Sequence, residues 1–267
     1  MNTVITAVAI NKGGVGKTTT SANFAVNLAR KNKKVLLIDL DSQGNLTDWL
    51  LGSERFENEV VTTIAHVLLH DPIKNGVFDW EENQTIISVE ENLDIIVADD
   101  DLMDAETTLT SYSRREYRLK ERLEELLEHR HYDYIFLDLS PAKNLLNVNA
   151  LTAATNVLGV LETRIMTLQP LKKINDFITM IKLSKLNPEL KFSGLLLTKF
   201  DQRTNSNKQI KDLIESTYPN LTINPAIRMN VDLTDAPSIN KTIFDYAPKS
   251  NGAVDYENAV DAWVKMV

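Results

Sequence analysis

The sequence predicts an α/β fold, a doubly wound and mostly parallel sheet flanked by helices, and three observations predict it. Six short apolar runs are spaced along the chain, helix-period segments lie between them, and the first run leads through a glycine-rich turn into a helix. Strands buried on both faces read as unbroken apolar runs rather than as alternation, as in a parallel sheet covered by helices.

In chain order, Val4 to Ile10 is the first strand, Asn11 to Gly16 the turn, and Lys17 to Arg30 a helix that buries Ala22, Ala25, Leu28 and Ala29. Val35 to Leu40 is the next strand. Gly52 to Asp104 is the least regular stretch, with turn signals at Asp71-Pro72 and Asn75-Gly76, and is expected to hold a helix and peripheral strands, Leu93 to Val97 among them. Arg114 to Arg130 sets Leu119, Leu123, Leu126 and Leu127 on one helical face. Tyr134 to Leu139 and Val157 to Leu161 are strands. A helix carrying Ile174, Phe177, Ile178 and Ile181 precedes the strand Phe192 to Leu197. No repeat, Gly/Ser linker or low-complexity tract interrupts the 267 residues, so one domain over 1–267 is expected.

Composition excludes several chemistries. Without cysteine there is no disulfide, thiolate zinc site, cysteine nucleophile or iron-sulfur cluster. The start MNTVITAVAI has neither a basic region nor a long apolar stretch, and no run approaches the ~20 apolar residues of a membrane span, so a soluble cytoplasmic protein is expected. The net charge of -8 is uneven: residues 79–106 hold eleven acids and no Lys or Arg, whereas 172–211 hold nine Lys or Arg against three acids. A basic district of this kind is what nucleic-acid phosphates require.

The turn carries the chemistry. Gly13, Gly14 and Gly16 let successive backbone N–H groups converge on phosphate oxygens, and the helix that follows adds the positive end of its dipole. Lys17 is spaced to reach β- and γ-phosphates, and the Thr18 hydroxyl to ligate a Mg²⁺ bridging them. The nucleotide site thus runs from Asn11 through Lys12, Gly13, Gly14, Val15, Gly16, Lys17 and Thr18 to Thr19. The common pattern G-x-x-x-x-G-K-[ST] fails at its first position, where Asn11 stands.

Asp39 and Asp41 fall at the carboxyl end of the second strand, where ligands of open α/β sheets gather, and a period of two turns both the same way. One carboxylate can hold a metal-bound water and the other orient an attacking water; the competing reading has one of them capping the next turn. Tyr134-Ile135-Phe136-Leu137-Asp138 is an apolar strand ending in a third acid, suited to hold Mg²⁺ through water.

KGGVGKTTT resembles the deviant Walker A segment of the ParA/MinD superfamily, in which a lysine, here Lys12, precedes the glycines. The likeness extends over essentially the whole chain. Asp41-Ser42-Gln43-Gly44-Asn45 is similar to the family's DPQGN, Asn149-Ala150-Leu151 to its NAL segment, and Leu195 to Asp201 with Arg203-Thr204 to a family strand and loop. Ala236-Pro237-Ser238 and the run Tyr246 to Ala253 are similar to the ParA C-terminus. The resemblance implies a P-loop NTPase of the SIMIBI type, ATP and Mg²⁺ as cofactors, and an ATP-sandwich homodimer in which Lys12 acts across the interface. It implies water-mediated metal contacts for Asp39 and Asp138, a catalytic role for Asp41 in positioning water, and catalytic roles for Lys12 and Lys17.

The chain departs from the family at two places: Asp-Thr-Pro-Pro is here Asp138-Leu139-Ser140-Pro141, and the IPRNVR segment is Ile227-Arg228-Met229-Asn230-Val231-Asp232. It starts directly at the first strand, as short ParA forms do. Its last segment bears Asp255, Glu257 and Asp261 against Lys265, unlike the basic membrane helix that ends MinD, so no membrane partner is expected.

The resemblance implies a partition ATPase that dimerises with ATP, binds double-stranded DNA without sequence preference at the nucleoid, and hydrolyses ATP when a ParB-like centromere-binding partner stimulates it. Arg203, Lys208, Lys211, Lys241 and Lys249 are the candidate DNA contacts, each with a solvated helix face as the competing reading. Two alternatives stand beside this: a MinD-like positioning ATPase on a membrane or protein scaffold, and an ATP-dependent enzyme activating a small carboxylate. His66 and His70 have helical spacing for a shared metal, but no third ligand is near in sequence, so surface or core histidines are expected.

Overall fold

The computed structural model describes residues 3–9, 13–71, 75–164 and 168–267. The strands are β1 (Val4–Ala9), β2 (Val35–Leu40), β3 (Ile87–Glu90), β4 (Leu93–Ile96), β5 (Tyr134–Leu139), β6 (Asn156–Glu162), β7 (Lys191–Thr198) and β8 (Thr222–Ile223). Among the described residues they form one eight-stranded sheet in the order β3-β4-β2-β5-β1-β6-β7-β8. Every pairing is parallel except β3 with β4. The expected doubly wound sheet is therefore present.

The chain winds from β1 outward to β2, returns to β5 beside β1, and then crosses to β6 on the other side of β1. The carboxyl end of β1 lies where the winding reverses, the place at which open α/β sheets bind ligands.

Two of the strands, β2 and β5, match the apolar runs residue for residue. The ladder continues past the apolar run at both ends of β6 and β7, pairing Asn156 with Lys191 and Glu162 with Thr198, because backbone hydrogen bonds do not need an apolar side chain. At four and two residues, β3 and β8 are too short to show a periodic pattern.

The helix α1 (Lys17–Arg30) starts and stops where its pattern does, and buries Ala22, Ala25, Leu28 and Ala29 as expected. Of the irregular stretch from Gly52 to Asp104, α3 (Ile64–Leu69) and the strands β3 and β4 lie within it, while α2 (Asn45–Glu59) runs into it and α4 (Asp101–Leu109) runs out of it. Asn75-Gly76 turns with a left-handed Gly76; Pro72 lies outside the described residues. Next come α5 (Arg118–His129), α6 (Leu145–Ala153), α7 (Leu168–Leu183) and α8 (Asn205–Thr217). The short α9 (Asp232–Asp235) and α10 (Ile243–Tyr246) precede α11 (Asn251–Val264). On α5 Leu119, Leu123 and Leu126 are buried, and on α7 Ile174, Phe177, Ile178 and Ile181.

Two contacts fix the helices nearest the site. On α1, Phe24 meets Phe136 and Tyr256 edge-on at 6.3 Å and Trp263 at 5.6 Å, so α1 is wedged between β5 and α11 by buried aromatic rings. On α2, Gly52 leaves helical geometry at φ 69° and ψ 164°. The break frees carbonyls, and the Asn240 amide donates to those of Asp48 at 2.6 Å and Trp49 at 3.1 Å.

Candidate functional site

The phosphate turn is built from left-handed glycines. Gly14 has φ 70° and Gly16 φ 91°, values at which a Cβ is strained, and Gly16 leads directly into α1 without a side-chain cap. The first N–H groups of α1 therefore have no capping side chain, and no acid occupies its first turn, which leaves an anion-binding helix start. Ile10, Asn11 and Lys12 lie outside the described residues. Described and in place are Gly13, Gly14, Val15, Gly16, Lys17, Thr18 and Thr19.

Lys17 is buried to 8 % exposure. Burial lowers its pKa, while the charges of Asp138 and Asp41 raise it, so the ammonium faces two carboxylates. Asp138 accepts hydrogen bonds from the Thr18 hydroxyl at 2.8 Å on one oxygen and from the Ser21 hydroxyl at 2.7 Å on the other. Asp39 is its cross-strand neighbour in the β2–β5 register.

Both carboxylates are fully buried, and both titrate high. Burial, reinforced by the Asp138 charge, raises the Asp39 pKa to about 7 against the pull of three hydrogen bonds. Burial raises Asp138 to about 6, opposed by the bonds from Ser21 and Thr18 and by the Lys17 charge. The oxygen-rich set of Thr18, Asp39 and Asp138 suits a hard cation such as Mg²⁺, whose positive charge would return these acids to their ionised form.

Asp39 also does what the competing reading assigned to it. One oxygen accepts the Asp41 N–H at 3.1 Å, and the other accepts the Thr47 N–H at 3.0 Å and hydroxyl at 2.9 Å. Thr47 sits in the first turn of α2, so Asp39 anchors that helix beside the site. Asp41 lies one residue past β2, accepts the Gln43 N–H at 3.2 Å, and is close enough for its charge to reach Lys17 and Asp138.

Ser21 and Thr47 were not singled out in the sequence. Each is a hydroxyl inside a helix whose partner comes from a strand, and the only signal is that both are buried polar residues that must find acceptors. The sequence also gave no sign of a cavity of about 280 Å³ beside the turn, lined by Val15, Gly16 and Thr19 on one side and by Lys199, Met229 and Tyr256 on others. It adjoins the phosphate turn. Two larger cavities, each about 410 Å³, lie at the amino ends of the strands, lined in part by Ile5 and Lys191 and by Lys34 and Tyr132, away from these groups.

The candidate DNA contacts fall in two places. Arg203, Lys208 and Lys211 belong to the β7–β8 crossover, where Arg203 makes a two-pronged pair with Asp201 and Lys211 bonds Glu215 at 2.6 Å. Lys208 is exposed. Lys241 and Lys249, also exposed, flank α10, and the Lys241 carbonyl accepts the Trp49 indole N–H at 2.7 Å. The buried carboxylate Asp39 is thereby joined to the Lys241 carbonyl through the first turns of α2.

The two histidines serve separate local roles. His66 Nδ1 accepts the Thr63 N–H at 3.1 Å, and His70 Nε2 pairs with the Gly76 carbonyl at 2.8 Å. No cluster of three metal-ligating side chains occurs among the described residues.

An AAA domain family model matches residues 3–192. The chain is 37% identical over 252 residues to the sporulation initiation inhibitor protein Soj of Bacillus subtilis, covering 94% of each chain. It is 36% identical over 253 residues to the chromosome partitioning protein ParA of Myxococcus xanthus, covering 94% of this chain and 84% of that one. Among solved structures, a cobyrinic acid a,c-diamide synthase from Mycobacterium smegmatis with bound ADP and magnesium superposes with a TM-score of 0.80 at 29% identity, covering 99% of this chain and 95% of that one.

Proposed function

We propose, because this chain belongs to the ParA/MinD family of P-loop ATPases that use ATP and Mg²⁺, that its hydrolysis cycle drives DNA partition. In this reading residues 1–267 form one ATPase domain. ATP closes a homodimer, the dimer binds double-stranded DNA through phosphate contacts at the nucleoid in the cytoplasm, and a ParB-like centromere-binding protein stimulates hydrolysis and release.

Within the site, Lys17 would hold the β- and γ-phosphates and Thr18 would offer its hydroxyl to Mg²⁺. Asp39 and Asp138 would hold the metal through water, and Asp41 would orient the attacking water. Mg²⁺, when bound, supplies charge neutralisation between the phosphates. Lys12 completes the partner subunit's site.

The observation behind the partition reading is the path from Asp39 to Thr47 at the start of α2 and from Trp49 of that helix to the Lys241 carbonyl, which links the acid cluster to a segment bearing the exposed Lys241 and Lys249. Phosphate contacts need such lysines exposed, and Lys208, Lys241 and Lys249 are.

A MinD-like membrane cycle fits less well. Tyr256, Ala259, Val260 and Trp263 of α11 are buried, so the apolar face of the last helix is occupied by the core. Among the described residues no helix is long and apolar enough to cross a membrane. The carboxylate-activating alternative, close to the reaction named for the M. smegmatis synthase, is disfavoured by Lys12 before the glycines.

Fluorescence anisotropy with duplexes of unrelated sequence tests the reading. Binding is expected with ATP and not with ADP, with affinity falling steeply as salt rises. Absence of ATP-dependent binding at low salt overturns it. Vesicle sedimentation and turnover with candidate carboxylate substrates report on the two alternatives.

A further inference from the structure

The end of β7 reaches back to the phosphate turn at two consecutive residues. The buried Thr198 hydroxyl donates to the Val15 carbonyl at 2.7 Å, and the exposed Lys199 ammonium donates to the Gly14 carbonyl at 2.5 Å. Two successive carbonyls of the turn are thus held from one side by the last residue of β7 and by the residue that follows it.

Peptide geometry gives this arrangement a consequence. In a trans peptide the C=O of one residue and the N–H of the next point in opposite directions. A Gly14 carbonyl drawn toward Lys199 turns the Val15 N–H away from it, and a Val15 carbonyl drawn toward Thr198 does the same for Gly16. These N–H groups are among those that a phosphate accepts from in such a turn. The Gly16 carbonyl is in turn held by the Thr20 hydroxyl at 2.7 Å.

Lys199 has a left-handed backbone, φ 52°, which disfavours a residue carrying Cβ. Glycine would relieve that strain and lose the ammonium. A strained residue whose side chain lands on a functional loop is where strain is commonly retained for function.

We propose that Lys199 is a positioning residue of the ATPase: by holding the Gly14 carbonyl it orients the backbone donors of the phosphate turn before nucleotide arrives. This rests on the ATPase activity alone and not on DNA partition, so it stands or falls independently of that reading. A preorganised cradle binds ground state and transition state alike, so its loss raises KM and leaves kcat nearly unchanged.

The test uses the full chain with three substitutions, measuring steady-state ATPase kinetics, equilibrium binding of a fluorescent ATP analogue, and thermal stability. Lys199→Met and Lys199→Gly are each expected to raise the KM and the analogue's Kd about five- to tenfold, with kcat within about twofold of the unsubstituted protein. Lys199→Arg, which keeps a charged donor, is expected to restore both to within about twofold. Lys199→Gly is expected to melt no lower than the unsubstituted protein, because its backbone strain is relieved. The proposal is overturned by an unchanged KM in Lys199→Met, by a loss confined to kcat, or by a fall in the melting temperature of Lys199→Gly that accompanies its KM change.

Discussion

Asp39 and Asp138 stand side by side at the carboxyl ends of two adjacent parallel strands, and both side chains are buried. Each carboxyl keeps its proton more tightly in the folded chain than in the unfolded one, with pKa values of about 7 and about 6. In the pH range between an ordinary aspartate, about 4, and those values, the folded state binds more protons. The stability this provides is complete below that range and is lost as pH rises through 6 to 7.

Without metal or nucleotide, the urea midpoint is therefore expected to fall between about pH 4 and pH 7, by an amount that shrinks in Asp39→Asn. At pH 8 that variant is expected to be more stable by roughly 1–3 kcal/mol, although it loses Mg²⁺-dependent turnover. Equal slopes in the two proteins contradict the assignment. Mg²⁺-ATP affinity follows the opposite trend, weakening as pH falls below about 6 to 7 because the metal needs ionised acids.

Ser21 holds the Asp138 oxygen that Thr18 does not. Ser21→Ala is expected to raise the Mg²⁺ concentration for half-maximal ATPase about tenfold, as loss of a partner behind a metal ligand does, with the fold intact by circular dichroism. A magnesium titration showing no shift removes Ser21 from the site.

Lys12→Gln is expected to bind ATP normally and to lose partner-stimulated turnover by about a thousandfold, the scale on which a charge supplied across an interface acts. Asp41→Ala is expected to accumulate as an ATP-bound dimer, visible by light scattering. Stimulated turnover retained in Lys12→Gln contradicts action across the interface.

At Gly52 a Cβ would come within 3.3 Å of the Asn240 amide, on a backbone already left-handed at φ 69°. Gly52→Ala is expected to destabilise the protein by about 1–3 kcal/mol in urea unfolding and to loosen the Lys241 segment, seen as faster amide exchange there. A neutral substitution shows that the α2 break is not constrained by Asn240.

The parts of the fold legible in the sequence were those whose environment is uniform. Val35–Leu40 and Tyr134–Leu139 are covered on both faces and wrote unbroken apolar runs, and α1 buried the stripe its spacing gave. The acids at the ends of those strands were legible for the same reason, since an apolar run that closes on a carboxylate is conspicuous. What stayed hidden depends on distant partners. Ser21 is 117 residues from Asp138, and the cavity beside the turn gathers Val15, Lys199, Met229 and Tyr256 from four separate segments. The α2 break was hidden because its compensating amide comes from residue 240.

Helix α11 follows every other element in the chain, yet its Tyr256 hydroxyl meets Thr20 at 3.2 Å and its Trp263 packs on Phe24, both on the helix that begins at the phosphate turn. A chain lacking α11 would carry the whole nucleotide signature without these two contacts on α1. The helix that begins at the phosphate turn is thus braced by a residue 236 positions further along the chain, so a change in α11 reaches the turn without touching it.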